Sequence, residues 1–93
     1  MIGSFKTRLE EQIWRGQPPK GFPADLIRRA QVKLALIHNA ITLDDLRVPP
    51  GNRLEALQGH RAGQHSIRIN DQWRIVFRWT DAGPEDVEII DYH

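Results

Sequence analysis

The chain has 93 residues and a mass of 10.8 kDa, enough for one small domain with a single core. Hydrophobic residues make up 40% and charged residues 27%, a balance that argues against intrinsic disorder. The absence of cysteine excludes a disulfide framework, a thiolate metal site and a cysteine nucleophile. No apolar run approaches the roughly 20 residues that span a bilayer, and the first residues lack the apolar segment of a signal peptide. We therefore expect one cytoplasmic domain over residues 1–93 and no membrane partner.

The net charge is only +1, but the charges are unevenly distributed along the chain. Residues 1–46 carry seven Lys or Arg and five acids, whereas residues 47–78 carry six Arg and two acids. Residues 79–93 carry five acids and no Lys or Arg. Because arginine suits bidentate contact with phosphate, the middle block either binds an anionic partner or forms an ordinary solvated surface.

Two amphipathic helices are predicted in the first half of the chain. An apolar stripe with a spacing of four runs from Phe5 to Ile13, and Gly16 is a suitable stop. A second apolar face begins after Pro23 and ends near Asn39. The two helices are expected to form a hairpin.

Beyond a Pro-Pro-Gly-Asn break the periodicity changes from helical to alternating, which predicts strands. A weak strand over residues 54–58 precedes a loop at residues 59–63. Two stronger strands follow, over residues 66–69 and 73–79. An acidic stretch from Thr80 to Glu85 is predicted to turn the chain into a last strand over residues 87–93. Helices followed by consecutive strands indicate an α+β fold with an antiparallel sheet covered on one face.

The register of the central hairpin can also be predicted. A two-residue turn would place Ile69 opposite Arg74 and mix apolar with charged partners. A three-residue turn over residues 70–72 places Ile69 opposite Trp73 and pairs Arg68 with Arg74. We predict the second arrangement, because a slip by one residue moves every side chain to the other face.

This register gathers arginine side chains on the face away from the core. Arg68 and Arg74 lie opposite each other, and Arg78 follows four residues after Arg74 on the same face. Like charges directly opposite one another destabilise a sheet. Such a pair persists when the side chains splay into water or when the face holds an anion, for which phosphodiester is the obvious candidate.

The last predicted strand runs into Asp91-Tyr92-His93, where alternation puts Asp91 and His93 on one face and Tyr92 on the other. Histidine, with an unperturbed pKa of about 6.5, suits proton transfer near neutrality. A carboxylate beside it would orient or charge it, whereas the alternative is a histidine in solvent. The four histidines show no paired metal-ligand spacing, so we expect neither a metal nor a cofactor.

Three segments together resemble the HigB toxins of the RelE/ParE superfamily of bacterial toxin–antitoxin modules. They are Leu54-Glu55-Ala56-Leu57-Gln58-Gly59, the stretch from His65 to Phe77 that contains Trp73-Arg74-Ile75, and Asp91-Tyr92-His93. The resemblance covers essentially the whole chain. It implies an α+β fold in which two N-terminal helices pack on a curved antiparallel sheet of three to five strands.

The resemblance also implies an activity and its partners. Members of this family are ribosome-dependent endoribonucleases (mRNA interferases) that cut translated mRNA without a metal, through attack of the RNA's own 2′-hydroxyl on the adjacent phosphate. The implied partners are the 70S ribosome with its mRNA, and a HigA-like helix-turn-helix antitoxin. Operator DNA is expected to be bound only through the antitoxin complex.

The family's functional residues can be carried onto three positions of this sequence. Arg74 matches the catalytic arginine and would stabilise charge on the scissile phosphate. His93 matches the general acid or base, and Asp91 matches the acidic partner that sets its protonation or positions the RNA. Further candidates for RNA contact are Tyr92, by stacking on a base, and Arg61, Arg68 and Arg78, from charge alone.

The sequence departs from the family at Gln58, where many members have a lysine that is implicated in activity. Glu55 stands where some relatives have a histidine, and His60 where an aspartate is common. By analogy with the removal of one charge-stabilising donor, losing this cation costs about 3 kcal/mol of transition-state stabilisation. We therefore expect reduced rather than absent cleavage, unless His60 or Arg61 substitutes in contacting the RNA.

Two alternatives to the nuclease remain open at the level of sequence. The ParE branch shares the fold but acts on DNA gyrase without nuclease activity. A catalytically weak member would serve mainly in the antitoxin complex and in operon autoregulation. Arg74 and the Asp91-Tyr92-His93 segment favour the nuclease, whereas Gln58 is the main support for the weak member.

Overall fold

The computed structural model describes residues 1–92 and contains two α-helices followed by one four-stranded sheet, with short 3₁₀ turns in the connections. The elements are α1 (Arg8–Trp14), α2 (Ala24–Asn39), β1 (Glu55–Ala56), β2 (Gln64–Arg68), β3 (Trp73–Thr80) and β4 (Gly83–Asp91). All neighbouring strands are antiparallel, in the order β1-β2-β3-β4. The predicted α+β class, with two helices packed on an antiparallel sheet, is confirmed. None of the described helices is long and apolar enough to cross a membrane.

The helix boundaries follow the local chemistry of the sequence. Helix α1 begins with a capping box in which the Thr7 backbone N–H donates to Glu10 Oε1 at 2.9 Å. It ends before Gly16, whose φ of +77° is the left-handed conformation that glycine adopts most readily. Helix α2 begins directly after Pro23 and ends at Asn39, so both of its predicted bounds are confirmed.

The core lies between α2 and the inner face of the sheet, which is the face covered by the helices. From the sheet, Ile67, Ile75 and Phe77 are completely buried, and from α2 the same holds for Leu34 and Ile37. Each such side chain contributes roughly 1.5–3 kcal/mol of transfer free energy when it is fully buried. This inner layer fixes which side chains of β2 and β3 must point to the opposite, outer face.

The predicted register of the β2–β3 hairpin is confirmed. Arg68 pairs with Arg74, and the Ile69 backbone N–H donates to the Trp73 carbonyl at 2.9 Å across a three-residue turn. Asn70 stabilises this turn, because its side-chain oxygen accepts from the Trp73 backbone N–H at 2.8 Å.

The predicted turn from Thr80 to Glu85 is too long, since β4 already begins at Gly83 after a two-residue turn. Pro84 is tolerated within the strand because β4 is an edge strand and one side needs no N–H donor. Between the pairs Val76–Glu88 and Arg78–Glu85, β4 has two residues where β3 has one. Asp86 is one of these two residues and has a φ of +53°. The Gly-Pro sequence therefore marks a strand start followed by a bulge.

A buried carboxylate joins the first helix to the edge strand. Glu10 is only 1% exposed, and its Oε2 accepts from the Ile89 backbone N–H at 3.2 Å. Its other oxygen accepts from Thr7, as described above. Nearby, Phe5 forms a parallel bridge with Val87. The chain before α1 and α1 itself thus cover the outer edge of β4.

Candidate active site

Arg74 lies on the outer face of β3, yet only 6% of it is exposed. Its Nε donates to Ser66 Oγ at 2.8 Å, and its Nη2 donates to the Arg53 carbonyl at 2.6 Å and to the Ser66 carbonyl at 3.3 Å. Three hydrogen bonds on two sides of a planar group leave it one orientation. Of the two alternatives for this face, an Arg74 side chain that splays into water is therefore wrong.

Two partly exposed side chains cover the remaining side of the guanidinium. Glu55 Oε2 lies 3.8 Å from Arg74 Nη2, and the Tyr92 ring centroid lies 5.3 Å from Arg74 Cζ, within cation–π range. The Tyr92 hydroxyl donates to Glu55 Oε1 at 3.2 Å, so the three residues form one cluster. Because Glu55 and Tyr92 are exposed at the surface, an anion can reach Arg74 by displacing them.

The electrostatics of the cluster favour an incoming anion. Burial is the main influence on the pKa of the Arg74 guanidinium and lowers it. Glu55 and Tyr92 oppose this effect, whereas Arg68 and Arg53 lower the pKa of Arg74 further. Arginine keeps its proton in proteins, so the outcome is a desolvated cation with limited compensation. A phosphate beside it would supply the missing negative charge.

Arg68 is opposite Arg74, as predicted, but it is held by a different partner. Its Nη2 forms an ion pair with Asp71 Oδ1 in the hairpin turn, and about a third of its side chain is exposed. The register thus brings the two arginines together, and Asp71 reduces the repulsion between them.

The closing segment distributes its side chains over both faces. Asp91 pairs with Trp73, and its Oδ2 accepts from Gln72 Nε2 at 3.0 Å. Ile90 is opposite Arg74, so Tyr92 shares the face of Arg74 whereas Asp91 lies on the other face. The predicted catalytic residue His93 lies outside the described residues.

A cleft of about 410 Å³ opens beside the cluster, and Glu55 and Tyr92 belong to both. Gln58, at the position where the family commonly has lysine, lines this cleft. Arg61 also lines the cleft, and its Nη1 lies 3.2 Å from Glu88 Oε1. His60 and Arg78 instead line a separate cavity of about 360 Å³, which Arg61 also reaches.

The sequence interpretation missed the residues that hold Arg74 in place. Glu55 pairs with Ser66 in the β1–β2 register, which puts both on the outer face beside Arg74. The position of Ser66 follows from the alternation of side chains along β2, because its neighbour Ile67 faces the core and Ser66 must therefore face outward beside Arg74. The Arg53 carbonyl points towards Arg74 because Arg53 has a left-handed backbone conformation, with a φ of +46°. The sequence does not indicate this conformation, since arginine rarely adopts it.

No group of three or more His, Asp or Glu side chains is arranged to hold a metal ion within residues 1–92. The cluster around Arg74 contains one carboxylate, one guanidinium and one phenol. These groups suit the binding of an oxyanion and the transfer of protons beside it.

Solved structures of other proteins share this fold. It is similar to YafQ from E. coli strain BL21(DE3), with a TM-score of 0.64 and 12% identity, over 98% of this chain and 91% of that one. It is also similar to a chain of the YoeB–YefM complex from Staphylococcus aureus, with a TM-score of 0.64 and 19% identity, over 100% and 95% of the two chains. At these identities the comparison shows a shared fold.

Sequence relatives narrow the class to a family. Residues 4–93 match the family described as the RelE-like toxin of the type II toxin–antitoxin system HigB. Toxin HigB-1 of Vibrio cholerae serotype O1 is 49% identical over 83 residues, covering 88% of this chain and 87% of the relative. Endoribonuclease HigB of Proteus vulgaris is 29% identical over 93 residues, covering 100% of both. The chain therefore belongs to the HigB-like toxins, which confirms the resemblance seen in its sequence.

Proposed function

We propose that this toxin is an endoribonuclease that cleaves translated mRNA on the ribosome and thereby inhibits translation. The observation that carries the proposal is the buried, fully oriented guanidinium of Arg74 beside a surface cleft. Donors that are fixed before the reaction stabilise charge as it develops, without reorganisation. The name of the Proteus vulgaris relative, an endoribonuclease, supports the same activity.

The proposed reaction uses the RNA as its own nucleophile. The 2′-oxygen attacks the adjacent phosphorus and loses its proton to a base, while the bond from phosphorus to the 5′-oxygen breaks. The 5′-oxygen takes a proton from an acid, which leaves a 2′,3′-cyclic phosphate and a 5′-hydroxyl. Arg74 stabilises the extra negative charge on the phosphoryl oxygens.

Proton transfer is assigned to three side chains. Glu55, whose carboxylate lies 3.8 Å from Arg74 Nη2, accepts the proton of the 2′-hydroxyl. His93 donates the proton to the 5′-oxygen, and Asp91, which lies on the face opposite Arg74, sets the protonation of that histidine or positions the RNA. These two roles rest on the family resemblance, and no metal ion takes part in the proposed scheme.

The cleft beside Arg74 provides the contacts to the RNA. Tyr92 stacks on a base, since one side of its ring is exposed and base stacking on aromatic rings tolerates any sequence. Gln58 contacts the backbone as a neutral donor where the family's lysine would add a charge. The remaining contacts to RNA are proposed for His60, Arg61, Arg68 and Arg78.

The proposed partners follow from the family. A HigA-like helix-turn-helix antitoxin neutralises this toxin in the cytoplasm, and operator DNA is bound through that complex. The YoeB–YefM complex supports an antitoxin partner for a chain of this fold. The 70S ribosome presents the mRNA to the cleft.

The test is to map the 5′ ends of cellular RNA after brief induction of the parent and of Arg74→Ala. We expect the parent to produce cuts within translated codons, with cyclic phosphate on the upstream fragments and growth arrest. The Arg74→Ala variant should produce neither the cuts nor the growth arrest. A matched control is Arg15→Ala, because Arg15 is exposed and forms only a surface ion pair with Glu11. Growth arrest without codon-associated cuts would overturn the proposal and favour an action on DNA gyrase.

A further inference from the structure

A second cavity, of about 360 Å³, is lined entirely by polar and charged side chains. Its cations come from three separate segments of the chain: the residues before α1, the turn over residues 59–61 and strand β3. The lining residues are Lys6, His60, Arg61, Gln64 and Arg78. Bringing like charges together from different elements is unfavourable unless carboxylates of the chain or a bound anion compensate them.

This cavity lies on the same face of the sheet as Arg74. Arg78 follows Arg74 by four residues and β3 pairs with β2 without interruption between them, so both side chains point outward. At about 3.3 Å per residue the two positions are about 13 Å apart. Arg61 lines both this cavity and the cleft beside Tyr92, which makes the two spaces neighbours.

The cations of the cavity are only partly neutralised. Arg61 Nη1 lies 3.2 Å from Glu88 Oε1 and also donates to Gln64, which fixes its position. Arg78 Nε is 4.0 Å from Asp86 Oδ2, a loose contact at the surface. Within the described residues, Lys6 has no hydrogen bond or ion pair through its ammonium group. Three permanent cations therefore face only two carboxylates. Of the three, Lys6 and Arg78 are available to a ligand, whereas Arg61 is held by Glu88 and Gln64.

We infer that Lys6, Arg61 and Arg78 form a second phosphate-binding site, which holds a backbone phosphodiester of the mRNA strand that is cut at Arg74. This inference rests on the proposed function and extends it. The absence of apolar side chains from the lining favours a phosphate backbone over a peptide, which would need an anchor. Contacts to phosphate carry no sequence information, so the site positions the strand and leaves base recognition to the cleft.

The experiment tests whether each cation of the site contacts one particular phosphate of the mRNA. Ribosomes are programmed with synthetic mRNAs in which one linkage at a time, 5′ or 3′ of the cut, is a neutral methylphosphonate, and single-turnover cleavage is measured. For the parent we expect a rate about tenfold lower at one linkage outside the scissile position, the size of one charged contact. Arg78→Ala and Lys6→Ala should slow the unmodified mRNA and lose their sensitivity to that same linkage.

Arg15→Ala serves as the matched control and should keep the parent's full sensitivity, because it removes an exposed arginine that lies directly after α1 and outside both cavities. The inference is overturned if no linkage outside the scissile one matters, or if Arg78→Ala is slower yet equally sensitive at every linkage. Arg74→Ala in the same assay separates the two claims. If the parent itself cuts no programmed mRNA, the proposed function fails; if the parent cuts, Arg74→Ala is inactive, and neither Arg78→Ala nor Lys6→Ala loses its sensitivity to a linkage, only the second site fails.

Discussion

Arg74 combines burial with three hydrogen bonds, from Nε and Nη2, that fix the orientation of its guanidinium. The hydroxyl and carbonyl of Ser66 and the carbonyl of Arg53 hold the guanidinium plane. Glu55 and Tyr92 are the exposed partners that a substrate can replace. A guanidinium held in this way is pre-organised for a phosphoryl group, because its orientation does not have to be imposed by the substrate.

At the same scale, Gln58 is the residue with the clearest expected effect on rate. Restoring a cation with Gln58→Lys places a positive charge in the cleft that contains Glu55 and Tyr92. We expect the single-turnover cleavage rate on programmed ribosomes to rise by about tenfold or more, since removal of one donor from an oxyanion hole lowers a rate by about 10²–10³. Gln17→Lys is the control, because Gln17 is exposed and lies outside the cleft. A rate equal to or below the parent's would show that this position does not limit activity.

Among the elements, the contact of α1 with the edge strand depends on the buried carboxylate of Glu10. Glu10→Ala removes the acceptor of both Thr7 and the Ile89 backbone N–H. We expect the free energy of unfolding in urea to fall by about 1–3 kcal/mol, because buried donors are left unsatisfied. Glu11→Ala, at the neighbouring half-exposed position with only a surface ion pair to Arg15, should change it by less than about 0.5 kcal/mol. Equal effects of the two substitutions would contradict this account.

The turn after α2 gives a prediction that depends on pH. Hydrogen bonds from the backbone N–H groups of Thr42 and Ile41 lower the pKa of Asp45 in the folded protein. The resulting stability is present above the unfolded pKa of about 3.9 and is lost as the pH falls through the lower, folded value. Asp45→Asn should therefore reduce the urea midpoint at neutral pH, and the difference from the parent should shrink in acid.

Asp44→Asn is the neighbouring control for this experiment. Asp44 forms an exposed ion pair with Arg47 at 2.6 Å, and such pairs contribute little to stability. It should leave the urea midpoint nearly unchanged at either pH. A difference between Asp45→Asn and the parent that is independent of pH would mean that the carboxylate charge is not the cause.

Elements with a long periodic pattern could be predicted from the sequence, whereas short ones could not. Helix α2 and the β2–β3 hairpin each repeat their apolar spacing several times, so bounds and register follow from burial. Strand β1 has two residues, too few for a register to be encoded locally, and the contact of Glu55 with Arg74 depends on it. The aim of the Arg53 carbonyl is likewise set by the tertiary structure alone.

At the scale of the whole molecule, the uneven charge distribution has a structural explanation. The arginine-rich middle of the chain forms β2, β3 and the turns around them, and the acidic segment over residues 79–93 contains β4, which lies beside β3. Glu88 and Asp86 of β4 each lie beside an arginine, so the acidic end of the chain partly neutralises the basic middle. A bound RNA strand would compete with these carboxylates for the same cations, so RNA binding should weaken steeply as salt rises.

The central claim is that the oriented guanidinium of Arg74 performs the chemistry of mRNA cleavage. The most direct measurement is single-turnover cleavage of a defined codon on programmed ribosomes by the parent, Arg74→Lys and Arg74→Ala, with thermal unfolding of each variant as the check on folding. The account predicts rates lower by about 10²-fold or more for both variants, because lysine keeps the charge but cannot keep the planar hydrogen bonds to Ser66 and Arg53. A folded Arg74→Ala protein that cuts at the parent's rate would contradict it.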